Sequence, residues 1–326
     1  MSAPDRTTVL ISENLVENMP SLFGRYPSVD FVQLPLREYE WDPAYEGADA
    51  IFRSAMDEEL FDRILRSAPE LDWVQISAAG FDWMGGEALD QKLQDGLIVT
   101  RSWNSYNASM AEYVLGSILL MARQFPAMAE AQKRREWIRV TGGEVAGSTV
   151  GIFGTGAIGQ EVAWRVAALG ASTIGVNRRG RTVECFDETV ATDRIDQVLP
   201  RCDYVVLAMP LTPETSGMFT AERFEQMKDT ATLINVGRGA LIDDEALIKA
   251  TETGTIAGAV LDAFVDEPLS PDNPLWGAQN IVVTPHCSFR TDRIMDRLCA
   301  DFIHNLDRYL AGESLAGTMR EPSLGY

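Results

Sequence analysis

Three ionisable side chains in the second half of the sequence could together reduce a carbonyl compound. Arg238 lies between two glycines, and Arg238, Glu267 and His286 each follow a short apolar run. In an open parallel sheet the carboxyl ends of the strands border the ligand crevice, so the three side chains are expected to converge. Arginine binds a carboxylate through two hydrogen bonds, and a carboxylate beside a histidine favours the imidazolium and fixes which ring nitrogen faces the substrate. These residue types predict reduction of a 2-oxo acid, with His286 protonating the carbonyl oxygen as hydride reaches the carbon.

Each of these side chains also has an ordinary structural explanation. Arg238 could be a surface residue, Glu267 a solvated acid and His286 a histidine packed at a strand end. The only other histidine, His304, stands within a helical pattern, where surface or packing roles are expected. The acid–base hypothesis therefore depends on His286.

A glycine-rich turn supplies the expected hydride carrier. The apolar run 150–153 leads into Gly154-Thr155-Gly156-Ala157-Ile158-Gly159, and a helical pattern follows over 160–169. The first glycine of such a motif allows a tight turn, the second lets the backbone approach a pyrophosphate, and the third lets helix pack on strand. The helix N-terminus then faces the phosphates. Strand, turn and helix in this order predict a dinucleotide-binding unit.

The residues after the next predicted strand predict which dinucleotide binds. An acidic residue about 20 positions beyond the turn would bind the ribose 2′-hydroxyl of NAD, whereas basic residues suit a 2′-phosphate. This sequence has Asn177-Arg178-Arg179 there and no acid. Guanidinium groups match phosphate oxygens in bidentate geometry, so NADP(H) is predicted over NAD(H). The alternative is a solvated arginine pair at a strand end.

Strand and helix patterns alternate along the whole chain, which predicts parallel α/β architecture. The first hundred residues form an α/β domain of their own, ahead of the dinucleotide unit. The predicted strands are 7–12, 31–34, 50–53, 73–76, 97–100, 150–153, 173–176, 204–208, 232–235, 256–261 and 281–284. The predicted helices are 57–67, 107–123, 127–137, 160–169, 221–227, 243–253 and 291–310.

Composition excludes several classes of protein. The 326 residues carry 28 Lys and Arg against 48 Asp and Glu, a formal charge of −20, which argues against nucleic acid or an anionic membrane as partner. No apolar run reaches the ~18 residues of a membrane span. The four cysteines show neither paired nor metal-ligating spacing, and the N-terminus lacks a signal pattern, so we expect a cytoplasmic protein without a metal site. The acidic surface fits either a salt-adapted enzyme or an ordinary acidic one.

These motifs, taken in order, resemble the D-isomer-specific 2-hydroxyacid dehydrogenase family over nearly the whole chain. The resemblance rests on the glycine-rich turn and on four later segments. These are Met209-Pro210-Leu211-Thr212-Pro213-Glu214-Thr215, Asn235-Val236-Gly237-Arg238-Gly239, Asp266-Glu267-Pro268 and Thr284-Pro285-His286. It implies two Rossmann-like or flavodoxin-like domains with parallel sheets. A cofactor domain, 103–290, is inserted into a substrate domain made of 1–102 and 291–326. It also implies a homodimer whose interface includes the helix that starts at Asn107.

The resemblance assigns roles to individual residues. Arg238 binds the substrate carboxylate and carbonyl, Glu267 orients the histidine, and His286 is the acid/base and also contacts substrate. The substrate carboxylate loop falls on Ala78, Ala79 and Gly80. The implied cofactor contacts are Gly154, Gly156, Ala157, Ile158, Gly159, Asn177, Arg178, Arg179, Met209, Pro210, Thr215, Val236, Gly237, Arg238, Asp262 and His286.

Within the family, the segment 110–114 and the pair Arg178-Arg179 look most similar to NADPH-dependent glyoxylate/hydroxypyruvate reductases. The segment 102–107 departs from that group, so a larger 2-ketocarboxylic acid stays open as substrate, with Phe81, Trp83 or Met84 lining a wider pocket. Formate dehydrogenases are disfavoured, because they have Gln where this chain has Glu267. Phosphite dehydrogenases share the Arg-Glu-His set, so these three residues do not separate that activity from reduction of a 2-oxo acid. Phosphoglycerate dehydrogenases, many of which carry a regulatory extension, are disfavoured. A dinucleotide-sensing corepressor of the same fold is the alternative from another class, and the intact catalytic residues and Arg178-Arg179 favour the enzyme over it.

Overall fold

Two parallel β-sheets, one in each of two compact units, organise the chain. The computed structural model describes residues 6–19, 22–35, 40–54, 56–78, 80 and 85–319. The first unit comprises Met1–Tyr106 and Thr291–Tyr326, and the second comprises Asn107–Arg290. The fold class expected from sequence, α/β with two parallel Rossmann-like or flavodoxin-like sheets, is confirmed.

The sheet of the first unit has the strand order β2-β1-β3-β4-β5, in which every neighbouring pair is parallel. This is the flavodoxin-like order. Strands β3 and β4 are buried at every position, as parallel strands covered by helices on both faces should be. The elements are β1 Thr7–Ser12, α1 Glu13–Val16, α2 Leu22–Arg25, β2 Val29–Leu34, β3 Ala50–Arg53, α3 Glu58–Ser67, β4 Trp73–Ile76, α4 Glu87–Gln94 and β5 Ile98–Arg101.

Helix α10, Ile294–Leu310, returns to the first unit and covers one face of its sheet. The ring of Phe302 stacks on Phe52 with centroids 4.4 Å apart and on Trp73 at 5.7 Å. Asn305 donates from Nδ2 to the buried Gln75 Oε1 over 2.9 Å. Aromatic stacking and a satisfied buried amide together attach the helix to the sheet.

The second unit contains a seven-stranded sheet in the order β12-β11-β10-β9-β6-β7-β8, again parallel throughout. The strand order reverses between β6 and β9, and in such sheets the ligand crevice lies at that point, beyond the carboxyl ends of the strands. The elements are α5 Asn107–Ala122, α6 Phe125–Lys133, β6 Thr149–Phe153, α7 Ala157–Ala168, β7 Ser172–Asn177, β8 Glu188–Ala191, β9 Tyr204–Leu207, α8 Ala221–Glu225, β10 Thr232–Asn235, α9 Asp244–Glu252, β11 Gly258–Leu261 and β12 Ile281–Val283.

The predicted helix 127–137 is wrong at both ends, because α6 spans Phe125–Lys133. The chain reverses at Arg135, whose φ of 59° lies in the left-handed region and stops the helix. Trp137 therefore lies outside the helix, where its side chain is 95% exposed. Among the described residues, every helix is too short or too polar to cross a bilayer.

Candidate active site at the carboxyl edge of the larger sheet

The glycine-rich turn joins β6 to α7. Gly154 has φ of 111°, and a Cβ there would lie 2.4 Å from the carbonyl oxygen of Ala208, so only glycine fits. A Cβ on Gly159 would lie 1.9 Å from the carbonyl oxygen of Gly154. Gly156 is the N-cap of α7, and no described atom lies within 4 Å of where its Cβ would stand. The turn is thus closed on the protein side and open above the first N–H groups of α7, which have no intrahelical acceptor.

Further glycines let neighbouring strand-end loops touch. A Cβ on Gly237 would lie 3.0 Å from the carbonyl oxygen of Met209, and one on Gly239 would lie 2.0 Å from the carbonyl carbon of Phe264. Because their side chains are absent, the loop after β10, which carries Arg238, packs directly against the loops that follow β9 and β11. The three loops therefore share one edge of the sheet.

Asn177 organises the loop after β7. Its Oδ1 accepts from the N–H groups of Arg179 and Arg181 over 3.3 and 3.0 Å. Its Nδ2 donates to Thr155 Oγ1 over 3.2 Å and to the carbonyl of Arg181 over 2.8 Å. One amide thus fixes this loop and connects it to the glycine-rich turn, while Arg178 and Arg179 remain exposed.

The two arginines have different neighbours. The pKa of the exposed Glu214 is lowered, first by the hydrogen bond from Thr212 and to a lesser extent by the charge of Arg178. Arg179 instead lines a cavity beside β8. The two adjacent arginines therefore have different surroundings.

The loop of Arg238 is held by the buried Asn235. Its Nδ2 donates to the carbonyl of Arg238 over 2.9 Å, and its Oδ1 accepts from the N–H of Gly237 over 3.0 Å. The Arg238 Nη1 donates to the carbonyl of Gly237 over 3.0 Å. The guanidinium thus extends from a loop that is held by hydrogen bonds, and it is half-buried. This arrangement is suited to binding an anion in a defined orientation.

Glu267 and His286 are brought together. Glu267 Oε2 lies 2.6 Å from His286 Nδ1, and Glu267 Oε1 accepts from the N–H of Phe264 over 2.8 Å. Both side chains are partly exposed, at 34% and 38%. Because Nδ1 is engaged by the carboxylate, Nε2 is the ring nitrogen left to face a ligand. The ring also packs edge-on against Phe289, with centroids 5.8 Å apart.

The backbone of His286 has φ of 45°, a left-handed conformation that costs energy in a residue with a side chain. Asp262, only 1% exposed, holds the loop in this shape. Its carboxylate accepts from the N–H groups of Cys287 and Ser288 over 2.9 and 2.8 Å and from Thr284 Oγ1 over 2.6 Å. The sequence marked Asp262 as a cofactor contact; the structure shows it holding the His286 loop.

Tyr113, on α5, extends this network and was not singled out as a site residue. Its Oη lies 2.6 Å from Thr284 Oγ1. Because the Thr284 hydroxyl donates its one hydrogen bond to Asp262 Oδ1, Tyr113 is the donor to Thr284. Burial raises the pKa of Tyr113 to about 12, so it keeps that proton at neutral pH. A tyrosine in a largely apolar helix was the only sequence signal for this contact.

The remaining predicted contacts fall in two places. Thr215 uses its hydroxyl within its own loop, since Oγ1 donates to the carbonyl of Pro210 over 2.8 Å and accepts from the N–H of Thr212 over 2.8 Å. Met209 and Val236 are buried at the same edge of the sheet. Ala78 and Gly80 follow β4 in the first unit and are half-buried. Ala79, Phe81, Trp83 and Met84 lie outside the described residues.

Within the described ranges, no three His, Cys, Asp or Glu side chains cluster closely enough to hold a metal ion. The donors at this edge are instead backbone N–H groups, guanidinium groups and one imidazole. Such a set suits phosphate and carboxylate oxygens.

Comparisons with known proteins agree with the geometry. Residues 115–288 match the family described as D-isomer specific 2-hydroxyacid dehydrogenase, NAD binding domain. A D-isomer specific 2-hydroxyacid dehydrogenase from Xanthobacter autotrophicus Py2, solved with NADPH and MES, has a TM-score of 0.83 and 30% identity, covering 99% of this chain and 100% of that one. An NADPH-dependent glyoxylate/hydroxypyruvate reductase from Sinorhizobium meliloti, solved with NADP and sulfate, has a TM-score of 0.81 and 30% identity, covering 98% and 100%.

A third relative differs in length. The D-3-phosphoglycerate dehydrogenase of Mycobacterium bovis is 31% identical over 96% of this chain. The chain spans only 58% of the length of that relative.

Proposed function

Since the chain belongs to the D-isomer specific 2-hydroxyacid dehydrogenase family, we propose that it reduces a small 2-oxo acid to the D-2-hydroxy acid, reversibly, with NADPH as the preferred reductant. Glyoxylate, hydroxypyruvate and larger 2-ketocarboxylic acids are the proposed substrates. The observation that carries this proposal is the 2.6 Å pairing of Glu267 with His286. It leaves one imidazole nitrogen available, at the same sheet edge as the rigidly held Arg238.

The residues of the site are proposed to act as follows. Arg238 binds the substrate carboxylate and carbonyl, and backbone N–H groups of Ala78, Ala79 and Gly80 bind the carboxylate. His286 donates the proton from Nε2 to the carbonyl oxygen, while Glu267 keeps Nδ1 engaged and stabilises the imidazolium. When bound, the nicotinamide supplies the hydride. In the reverse direction, neutral His286 accepts the hydroxyl proton.

The second unit fits a dinucleotide. Gly156 leaves open space above the N-terminus of α7, where a pyrophosphate would accept from backbone N–H groups. The proposed contacts along the sheet edge run from Asn177, Arg178 and Arg179 through Met209 and Pro210 to Val236 and Asp262. The segment Asn177-Arg178-Arg179-Gly180-Arg181, at the end of β7 and the start of the loop after it, contains no acid to repel a 2′-phosphate, which supports NADP(H) over NAD(H).

The activity is tested by following NADPH oxidation with glyoxylate, hydroxypyruvate, pyruvate and longer 2-oxo acids. Because one relative is named D-3-phosphoglycerate dehydrogenase, D-3-phosphoglycerate is assayed with NADP⁺, and so is phosphite. Replacing His286 by Ala should lower kcat by about 10²–10⁴, because a positioned general acid contributes that much. A lack of turnover with every 2-oxo acid would refute the dehydrogenase proposal. It would favour the alternative of a dinucleotide-sensing corepressor of the same fold.

The cofactor preference is tested separately. The wild type should show a higher kcat/KM with NADPH than with NADH, and the double variant Arg178→Ala, Arg179→Ala should lose that difference. The control is the turnover of the double variant with NADH, which should stay within about twofold. Equal kcat/KM values for the two cofactors in the wild type would contradict the preference.

We also propose a homodimer that uses the surface around α5 and α6. Trp137, Trp164 and Phe125 are 95%, 66% and 54% exposed, and exposed aromatic side chains are typical of protein interfaces. Sedimentation should show a dimer for the wild type and a monomer for Trp137→Asp. A wild type that sediments as a monomer at micromolar concentration would reject the proposal.

A further inference from the structure

A basic cavity of about 210 Å³ lies between the loop after β7 and the edge strand β8. Three of its lining residues are arginines, Arg179, Arg194 and Arg201, and one is acidic, Glu188. The lining thus carries a formal excess of two positive charges in a chain whose net charge is −20. A concave positive surface on an acidic protein concentrates anions locally.

The cations of the cavity are not equivalent. Arg201 is engaged by Glu188, to which its Nη1 and Nη2 donate as a fork, so their charges offset each other. Arg194 donates to an uncharged partner, Gln197 Oε1, over 3.4 Å. The pKa of Glu188 is lowered first by the hydrogen bond from Arg201 and only to the smallest extent by the charge of Arg194. Arg179 also lines the cavity and is exposed. Arg179 and Arg194 are therefore the pair whose charge is available to a ligand.

The cavity adjoins the loop proposed to hold the cofactor ribose. Gly180, with φ of 63°, packs this loop on the end of β8, since a Cβ there would lie 3.0 Å from the N atom of Ala191. Asn177 fixes the same loop from within. The two arginines after β7 have different neighbours. The charge of Arg178 acts on Glu214, in the loop after β9, whereas Arg179 lines the cavity beside β8.

We propose that the 2′-phosphate of NADP(H) lies in this cavity between Arg179 and Arg194, so that Arg194 is a specificity-determining residue for the cofactor. A cavity lined by Arg179 and Arg194 offers a phosphate dianion two guanidinium groups from different parts of the chain, each able to donate in bidentate geometry. Arg194 stands well beyond the position, about 20 residues after the glycine-rich turn, at which sequence motifs place the ribose contact. The inference rests on the proposed NADP(H) preference.

Direct binding tests the inference without turnover. Calorimetric titrations with 2′,5′-ADP and 5′-ADP compare two fragments that differ only in the 2′-phosphate. In the wild type, 2′,5′-ADP should bind at least tenfold more tightly. Arg194→Gln should weaken 2′,5′-ADP about tenfold, in line with the loss of a charge-assisted hydrogen bond, and leave 5′-ADP within twofold. Lys249→Gln removes one exposed charge of the same unit away from the cavity and should change neither affinity.

The outcomes separate this inference from the proposal on which it rests. Retained 5′-ADP binding shows that Arg194→Gln is folded at the cofactor site. If Arg179→Gln weakens 2′,5′-ADP selectively and Arg194→Gln does not, the phosphate lies outside the cavity and the inference is overturned while NADP(H) preference stands. Equal weakening of both fragments by Arg194→Gln would also overturn it. A wild type that binds both fragments equally would refute the NADP(H) preference itself.

Discussion

Two loops at the carboxyl edge of the larger sheet are each organised by one polar side chain, but by different chemistry. The loop after β7 is arranged around the neutral amide of Asn177, whose four contacts are 2.8 to 3.3 Å long. The loop after β12 is arranged around the buried carboxylate of Asp262, whose contacts with Thr284, Cys287 and Ser288 are 2.6 to 2.9 Å long.

The difference matches what each loop must do. Hydrogen bonds to an ionised group contribute about 1.5–3 kcal/mol each, against about 0.5–1.5 kcal/mol for neutral pairs. The stronger clamp holds His286 in a left-handed backbone conformation, where a proton donor needs a fixed position. The weaker hydrogen bonds of Asn177 hold a loop on which Arg178 and Arg179 are exposed. A charge attracts a phosphate over a longer distance than a proton can be transferred, so these side chains need a less exact position than His286 does. The two loops thus differ in the strength of the hydrogen bonds that hold them, in line with their proposed chemistry.

After the loss of His286 itself, the largest effect should come from replacing its partner. Glu267→Gln keeps the size of the side chain but removes the charge that holds His286 Nδ1. We expect kcat to fall about 10- to 100-fold, equivalent to one hydrogen bond to a charged group, with a small change in KM for the 2-oxo acid. Asp266→Asn, an exposed neighbour, is the matched control and should stay within twofold. A Glu267→Gln enzyme with normal kcat would mean that Glu267 does not orient the base.

The next effect tests whether the hydrogen bond from Tyr113 to Thr284 also helps Asp262 to hold the His286 loop. Tyr113→Phe removes only the hydroxyl that donates to Thr284. We expect kcat to fall about 3- to 10-fold, the value of one neutral hydrogen bond, while KM for NADPH changes less than twofold. Thr284→Val breaks the same chain of hydrogen bonds. The double variant Tyr113→Phe, Thr284→Val should therefore be no slower than Thr284→Val alone. Thr284→Ser keeps the hydroxyl and should retain the wild-type kcat. Additive losses would show that Tyr113 acts independently of the His286 loop.

The sequence predicted the strands that lie inside the sheets better than those at their edges. Strands β3, β4 and β10 match the predicted segments to the residue, because strands buried on both faces leave continuous apolar runs. Strand β8 was not predicted, since an edge strand with Glu188 and Thr189 shows neither an apolar run nor a clear alternation. Helix α4 was also missed: only Ala88 and Leu89 are buried there, and it starts without a side-chain cap.

The residues of the site also differ in how far the sequence could predict them. Residues at strand ends, such as Glu267 and His286, are marked by the apolar run before them, so their meeting could be anticipated. The contact of Tyr113 with Thr284 joins positions 171 residues apart and follows from packing of α5, which no local pattern encodes. Arg194 lies in a short helical turn after an unpredicted strand, so its place beside Arg179 could not be inferred.

A smaller effect on turnover is expected from replacing Asn177, the neutral side chain that organises the loop after β7. Asn177→Ala removes the acceptor for the N–H groups of Arg179 and Arg181 and the link to Thr155. KM for NADPH should rise about 3- to 10-fold, as expected for one or two neutral hydrogen bonds, while kcat at saturation stays within twofold. Initial-rate measurements with NADPH and NADH provide the comparison, since KM for NADH should rise less. A fall in kcat as large as that of Tyr113→Phe would remove the distinction between the two loops.

The smallest effect on catalysis should come from a second buried carboxylate, Asp301 on α10. Like Asp262 it accepts two backbone N–H groups, those of Asn104 and Ser105, both over 3.2 Å, but it holds the chain ahead of α5 rather than a reactive loop. Asp301→Asn keeps an acceptor oxygen, so kcat should stay within twofold. Its effect should appear in stability and should depend on pH.

Burial raises the pKa of Asp301 above its ordinary value of 3.8, so the folded state binds this proton more tightly than the unfolded chain does. The resulting stabilisation is complete below pH 3.8 and is lost as pH rises through the higher folded-state pKa. The free energy of unfolding of the wild type, relative to Asp301→Asn, should therefore increase as pH falls from 7.5 towards 4 in urea titrations. At pH 7.5 the asparagine variant should be at least as stable as the wild type, because it buries no charge. A wild-type advantage that grew with rising pH would mean that the three hydrogen bonds to the Asp301 carboxylate, from the N–H groups of Asn104 and Ser105 and from Ser105 Oγ, outweigh its desolvation.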